Sequence, residues 1–340
     1  MRNDPKALAP AAPAFPQDWP RLGLGCSGLG NTFHDWTETQ AAATFTAAWD
    51  CGIRYFDTAP WYGHGLSEIR LGGLIRSHPR AQSLVSTKVG RFYLPAARGQ
   101  DARGVRPNGL NFAHHFDYSA EGFALSLAQS RLRLGQSAVD ALVIHDLDRD
   151  YHGAAWDGHM AALTGSGLAY LQGLKAAGEI SAIGMGINTT EDFARVADWI
   201  DVDFFLVAMP YTLADQPALH GPMATCLRRG IRLVIGAPFA SGLLADPDNP
   251  AATYAYGPVP DELRARVRAI RDCCARHGVP LKAAALQFPL LHPAVISVLP
   301  GATTPAEARE NAARLRHPIP PDLWAELKAL GLIDRAAPTG

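Results

Sequence analysis

Apolar runs rich in Val, Ile and Phe recur along the chain without polar alternation, and each gives way to a stretch of helical period. The runs are Leu22–Leu29, Ile53–Thr58, Leu84–Val89, Ala141–His145, Ala182–Ile187, Phe204–Met209, Leu233–Ala237 and Ile296–Pro300. Strands with no polar face, joined by helices, predict a parallel sheet buried on both sides. Eight such units in 340 residues predict an α/β fold closed as a (β/α)8 TIM barrel rather than an open sheet. Helix signals agree. Thr304-Pro305-Ala306-Glu307 reads as a capping box with proline at the first helical position. Leu263, Val267, Ile270 and Cys274 share one face of a further helix, which Gly278 and Pro280 end.

No composition break divides the chain. Residues 1–19, rich in Pro and Ala, read as an N-terminal tail, and residues 20–340 as a single barrel domain. The segment Arg91–Asp117, rich in Gly, Arg, Asn and Pro, has no period and reads as a long loop. It follows the third strand, on the barrel face where such folds keep their chemistry. Gly23-Leu24-Gly25-Cys26-Ser27-Gly28 matches the dinucleotide fingerprint G-x-G-x-x-G. That fingerprint needs a full strand before it and a helix opening directly from it. Polar residues through Asp35 delay the next helix, so the reading is a Gly-rich first barrel strand approached closely by another backbone.

A formal net charge of −1 gives no electrostatic reason to expect nucleic acid or an anionic membrane. No apolar run is long enough to span a bilayer. The first twenty residues lack a basic segment followed by an apolar core, so no secretory signal is expected. Five scattered cysteines without C-x-x-C fit reduced thiols and a cytoplasmic location.

Barrel strands deliver their last residues into one mouth. The second, third and fourth strands thereby contribute Asp57, Lys88 and His145, with Tyr62 just beyond the second. Free Tyr and Lys titrate near ~10 and ~10.4, so neither exchanges protons readily alone at neutral pH. An ammonium beside the phenol favours the phenolate, and a carboxylate behind the lysine keeps it charged. Tyr62 can then take a proton from an alcohol or give one to a carbonyl, while His145 orients the reacting oxygen.

At these residues the sequence resembles the aldo-keto reductase superfamily, from about Pro20 to Ile333. The carriers are Ile53-Arg54-Tyr55-Phe56-Asp57-Thr58-Ala59-Pro60-Trp61-Tyr62-Gly63 with Ser67-Glu68, then Ser86-Thr87-Lys88 and Pro300-Gly301-Ala302. The resemblance implies an enzyme with a catalytic tetrad of Asp57, Tyr62, Lys88 and His145, a nicotinamide coenzyme and no metal. Gly63-His64-Gly65-Leu66-Ser67-Glu68, Lys88-Val89-Gly90-Arg91, the 91–117 segment, Tyr211-Thr212-Leu213 and Pro238–Leu244 resemble one branch. It holds L-fucose dehydrogenases (D-threo-aldose 1-dehydrogenases), pyridoxal 4-dehydrogenases and plant L-galactose dehydrogenases. This branch implies oxidation of the anomeric carbon of an aldose to the lactone. Pyridoxal oxidation or general aldehyde and ketone reduction are the alternatives within it.

The family pattern also implies coenzyme contacts. They fall on Gly25, Cys26, Ser27, Asp57, Asn188, Pro238, Phe239, Ser241, Gly242 and Leu243, and on Gly301, Ala302, Thr303, Glu307, Glu310 and Asn311. Asn188 would take the nicotinamide carboxamide. Three positions depart from the pattern: Ile187 adds a residue before Asn188, Ala208 replaces a glutamine, and Gly236 stands where many relatives stack a tyrosine. No basic residue lies between Gly301 and Glu307, so NAD is expected over NADP, with NADP possible. Trp61, His64, Phe92 and His145 are the expected contacts to a small sugar or aldehyde substrate, with Tyr93, His114, His115 and Phe116 nearby. Two rival classes are a non-catalytic coenzyme-binding subunit and a metal-dependent barrel enzyme using His114 and His115. No H-E-x-x-H or comparable ligand spacing supports the second.

Overall fold

The computed structural model describes residues 18–32, 34–105, 107–254 and 257–339. Most of the tail expected over residues 1–19 therefore lies outside the described residues. One parallel sheet runs in chain order through β1 (Gly23–Gly25), β2 (Tyr55–Asp57), β3 (Leu84–Val89) and β4 (Ala141–Ile144). It continues through β5 (Ala182–Ile187), β6 (Phe204–Ala208), β7 (Arg232–Gly236) and β8 (Val295–Leu299). Parallel bridges from Leu22 to Val298 and from Gly25 to Gly301 join β8 back to β1 and close the barrel. The eight strands are the eight apolar runs, because a strand covered on both faces has no polar position to offer.

Alternate strand residues divide the core into two layers. Tyr55, Ala141, Val143, Ala182, Phe204, Leu206, Val234 and Leu299 fill the barrel interior. Phe56, Val85, Leu142, Ile183, Phe205 and Leu233 point outward under the helices. Trp19, placed by the sequence in the tail, belongs to the barrel: it meets Tyr55 edge-on at 5.1 Å and Phe204 at 5.4 Å. The fold therefore begins before Pro20.

Helix ends follow their signals. Thr304 and Glu307 form the reciprocal capping box of helix Pro305–Leu315. Helix Asp261–Arg276 buries Val267, Ile270, Cys273 and Cys274. All five cysteines are free thiols. Among the described residues, no helix is long and apolar enough to cross a membrane.

The Gly-rich start of the chain serves barrel closure. A Cβ at Gly23 would lie 2.4 Å from the Leu299 side chain and 2.7 Å from the Tyr55 ring. Only a short turn, Gly28–Gly30, follows β1, and the first helix opens at Glu38 after the Thr37 cap. That is not the geometry of a dinucleotide fingerprint.

Within the segment expected as a long loop after β3, the two ends form an antiparallel hairpin. Arg91–Pro95 pairs with Phe112–Phe116. Its period was hidden because both faces carry aromatic and basic residues. At its base the Asp117 N–H donates to Gly90 O at 3.1 Å. Gly90 has φ +104°, and a Cβ there would lie 2.5 Å from the Tyr118 ring.

Candidate active site

Left-handed backbone at residues other than glycine concentrates at the C-terminal ends of the strands. His64 (φ 53°), Asp146 (48°), Met209 (82°), Ala237 (49°), Ala240 (49°) and Ser241 (55°) follow β2, β4, β6 and β7. Such conformations cost on the order of 1–3 kcal/mol each, and they gather where function holds a shape in place.

Two strands supply the charged centre. Lys88 Nζ donates to Asp57 Oδ2 at 2.6 Å and to Thr58 O at 2.9 Å. Ser86 Oγ donates to the other Asp57 oxygen at 2.7 Å. The ion pair is sealed, with the Lys88 and Asp57 side chains 2% and 4% exposed. Burial alone would pull the ammonium down, but Asp57 and Tyr62 outweigh it and hold Lys88 above its ordinary value.

Tyr62 sits on the turn after β2, partly exposed to the mouth. Its ring centroid is 4.7 Å from Lys88 Nζ, and the His145 ring stands at 90° to it with centroids 6.1 Å apart. Burial raises the phenol most, and Lys88 pulls it back only in part, so Tyr62 is held above its ordinary value. The ammonium acts in the direction the sequence implies, but desolvation is larger. The turn is placed by direct backbone contact. A Cβ at Gly63 (φ +66°) would lie 2.0 Å from Gly30 O, and one at Gly30 would lie 2.5 Å from Tyr62 O. Ser67 and Glu68 of the second-strand motif act as anchors. Ser67 Oγ donates to Cys26 O at 2.9 Å, and buried Glu68 accepts from Thr87 at 2.6 Å and pairs with Arg133 at 2.6 Å.

His145 follows β4, its N–H donating to Val89 O at 3.0 Å while Tyr118 OH donates to its carbonyl at 2.8 Å. Its Nε2 lies 3.4 Å from Asp146 Oδ1, and the second oxygen of Asp146 pairs with Arg91 at 3.1 Å. The Arg91 guanidinium lies between the rings of Trp61 (4.0 Å) and Phe116 (4.5 Å). Trp61 also stacks on His64 at 5.2 Å and meets His114 edge-on at 5.0 Å. Strand alternation puts Arg91, Tyr93, His114 and Phe116 on this face of the hairpin. Phe92, expected beside the substrate, stacks with His115 at 5.6 Å on the opposite face. For the same reason His114 and His115 do not converge on a shared ion.

On the far side of the mouth, Gly25 and Gly301 are bridged, and Asn311 Nδ2 donates to Gly301 O at 3.1 Å. Glu307 accepts from Thr303 N (2.7 Å), Thr303 Oγ1 (3.0 Å) and Thr304 N (3.3 Å). Glu310 pairs with Lys282 at 2.8 Å and Arg314 at 3.1 Å. Ser27 Oγ shares a hydrogen bond with Thr32 at 3.2 Å. Ser241 is exposed, Phe239 is half-buried, and nothing lies within 4 Å of a Cβ built on Gly242. Cys26, Pro238, Leu243 and Ala302 have buried side chains, so backbone is what they can present. Asn188 Nδ2 donates to Asp148 Oδ2 at 2.6 Å. Burial pushes the Asp148 carboxyl up to about 7, with Asp146 and Asp192 adding to the rise against the Asn188 hydrogen bond.

The model of the Aldo/keto reductase family matches residues 21–331. The chain belongs to the aldo/keto reductase family. As an aldo/keto reductase it is an NAD(P)-dependent oxidoreductase. It is 38% identical to a pyridoxal 4-dehydrogenase of Microbacterium luteolum, over 92% of this chain and 94% of that protein. It is also 38% identical to a D-threo-aldose 1-dehydrogenase of Pseudomonas sp, over 95% of this chain and 98% of that one. Among solved structures, the holo form of an aldo-keto reductase from Bacillus halodurans superposes with TM-score 0.69 at 21% identity, covering 91% of each chain. That likeness carries the barrel fold.

Sequence reasoning missed Arg91, Asp146, Asp148 and Tyr118. The acidic positions one and three after His145 were a usable signal, since they flank a strand-end histidine. Arg91 entered only as part of a motif, and Tyr118, just beyond the hairpin, gives no such signal.

Proposed function

We propose that this aldo/keto reductase oxidises the anomeric carbon of an aldose of the L-fucose or D-threo type to the lactone. Tyr62 serves as general base and NAD is the preferred coenzyme. The observation that carries the reading is the Asp57–Lys88–Tyr62–His145 arrangement in a chain 38% identical to a D-threo-aldose 1-dehydrogenase along nearly its whole length.

A nicotinamide coenzyme, which Gly25, Asn188, Ser241 and Gly301 would hold, would supply the hydride acceptor for the anomeric carbon. Tyr62 takes the hydroxyl proton at its phenolate oxygen, so the C–O single bond becomes the lactone carbonyl. His145 hydrogen-bonds the same oxygen and holds it toward Tyr62. Lys88 stays charged through Asp57 and favours the phenolate. Because burial holds Tyr62 above its ordinary value, oxidation is expected to quicken toward alkaline pH. NAD preference is supported by Glu307, whose carboxylate occupies the start of helix Pro305–Leu315 where a ribose phosphate would meet like charge.

Equal identity to the pyridoxal 4-dehydrogenase favours a second reading, oxidation of pyridoxal at the same centre. Steady-state turnover of L-fucose, D-arabinose, L-galactose and pyridoxal, each with NAD and NADP, separates the two. Aldose oxidation with NAD is the expected result. Turnover of pyridoxal alone selects the second reading, and reduction of simple aldehydes without oxidation of any of the four overturns both.

A further inference from the structure

We propose that Cys273, His277 and Glu326 form a zinc site on the outside of the barrel, clipping helix Pro321–Ala329 to helix Asp261–Arg276. Each side chain offers one ligand atom, and the three atoms all lie within 4.8 Å of one another. Among the described residues, no other group of three His, Cys, Asp or Glu side chains gathers its ligand atoms so closely. Cys273 and His277 are four residues apart, the spacing that sets two side chains on one helix face. His277 ends the first of these helices, its N–H donating to Cys274 O at 3.1 Å. The second helix brings in Glu326, whose Oε2 lies 2.5 Å from His277 Nε2. Neither helix carries a group of the charged centre at the mouth, so this cluster is separate from the proton-transferring residues.

The donor set fits the ion. Thiolate, imidazole and carboxylate are ordinary zinc ligands, at about 2.3, 2.0–2.1 and 2.0–2.2 Å, with water able to take the fourth place. Tetrahedral bonds of those lengths put neighbouring ligand atoms roughly 3.4–3.6 Å apart. His277 and Glu326 must therefore part by about 1 Å, and the longest separation must close by about as much. Both side chains are partly exposed and can make that adjustment, while Cys273 is buried behind them. The Arg276 guanidinium holds the other oxygen of Glu326, its Nε donating at 3.2 Å, which leaves Oε2 for the metal. An outer partner of this kind orients a ligating carboxylate. Burial and the Glu326 charge hold the Cys273 thiol up, so it keeps its proton until a metal arrives. Zinc then displaces the thiol proton to solvent, and the imidazole carries its own proton on Nδ1. Two anionic ligands match the two charges of the ion.

The test is titration of the full chain, stripped of metal by a chelator, with Co²⁺ as the spectroscopic probe. A single equivalent should bind with a thiolate-to-cobalt charge-transfer band, and added Zn²⁺ should abolish that band by displacement. Cys273→Ser should remove the band, while Cys274→Ala, one residue on, should keep it. His277→Gln and Glu326→Gln should each weaken cobalt binding by about 10–100-fold. Zinc at about a hundredfold excess over its Kd should raise the wild-type Tm by about 4 °C and leave Tm unmoved in His277→Gln. His277 lies on the solvent side of the cluster, so its variant decides the matter if Cys273→Ser does not fold. Absence of the band in the wild type, a band that survives Cys273→Ser, or affinity unchanged in His277→Gln would overturn the proposal. The cluster would then be an ion-pair network of Arg276, His277 and Glu326 and nothing more.

Discussion

Asp57→Asn isolates the energetic core of the site. The substitution keeps shape and the Ser86 hydrogen bond but strips the counter-charge from an ammonium 2.6 Å away and almost wholly sealed from water. Removing one partner of such a pair costs about 3–5 kcal/mol, because the remaining charge is buried uncompensated. For a domain of this size that is a fall in Tm of roughly 6–10 °C. The sign with pH follows. In the wild type Lys88 is held above its unfolded value, so its contribution is full below that value and fades only as pH rises through the folded one. In Asp57→Asn desolvation, the largest effect on Lys88, is opposed by Tyr62 alone, so Lys88 is expected to fall below its unfolded value, and the penalty is relieved as pH climbs toward ~10.4. The Tm gap should therefore narrow between pH 8 and pH 10. Adding Lys88→Met removes the orphaned charge, so the double variant should recover much of the loss, with a coupling of about 2 kcal/mol or more. Calorimetry of the four proteins at both pH values checks this. An Asp57→Asn protein melting with the wild type, or single losses that simply add in the double variant, would refute the argument.

Tyr62→Phe should lower kcat by about 10²–10⁴-fold while coenzyme binding, read by fluorescence titration, stays close to wild type; normal turnover in the folded variant would overturn the assigned base. Glu307→Gln and Thr303→Arg should each improve KM for NADP by about 10-fold, or ~1.4 kcal/mol, the first without losing the cap. A wild type already more efficient with NADP would defeat that expectation. Asp148→Asn keeps the partner of Asn188 but cannot ionise. Because folding raises this carboxyl to about 7, the variant should match the wild type near pH 3 and gain stability over it from pH 4 to 7. A constant difference across that range would refute the buried charge.

The strands, and the meeting of Asp57, Tyr62, Lys88 and His145 at one mouth, were legible because each rests on a local rule. A two-faced strand must be apolar throughout, and barrel strand ends share one mouth. Capping at Thr304 and Glu307 was legible for the same reason. The hairpin was not, since Arg91, His114 and His115 mix aromatic and charged character on both of its faces, leaving no period of two to read. The direction of the Tyr62 shift was missed as well. A sequence names the ammonium beside the phenol but not the depth of burial around them. Trp19 was misassigned because a single aromatic between prolines looks like tail until Tyr55 and Phe204 are seen beneath it.

The hydrogen bond from Asp117 to Gly90 means that the hairpin leaves the barrel and returns to it at a single point. A segment attached in that way is a cassette. It is also tied to its surroundings. Ser126 Oγ donates to Arg91 O at 2.8 Å, Tyr93 OH donates to Pro60 O at 2.9 Å and Leu110 N–H donates to Gly63 O at 3.0 Å beside Tyr62, so its composition can change only where those contacts are kept. One face of the cassette carries Arg91, Tyr93, His114 and Phe116 toward Trp61, while Phe92 and His115 lie on the other. Relatives with one chemistry and different substrates could then diverge by exchanging this hairpin. Grafting residues 91–116 between them would be the shortest route to moving a preference from one barrel to another.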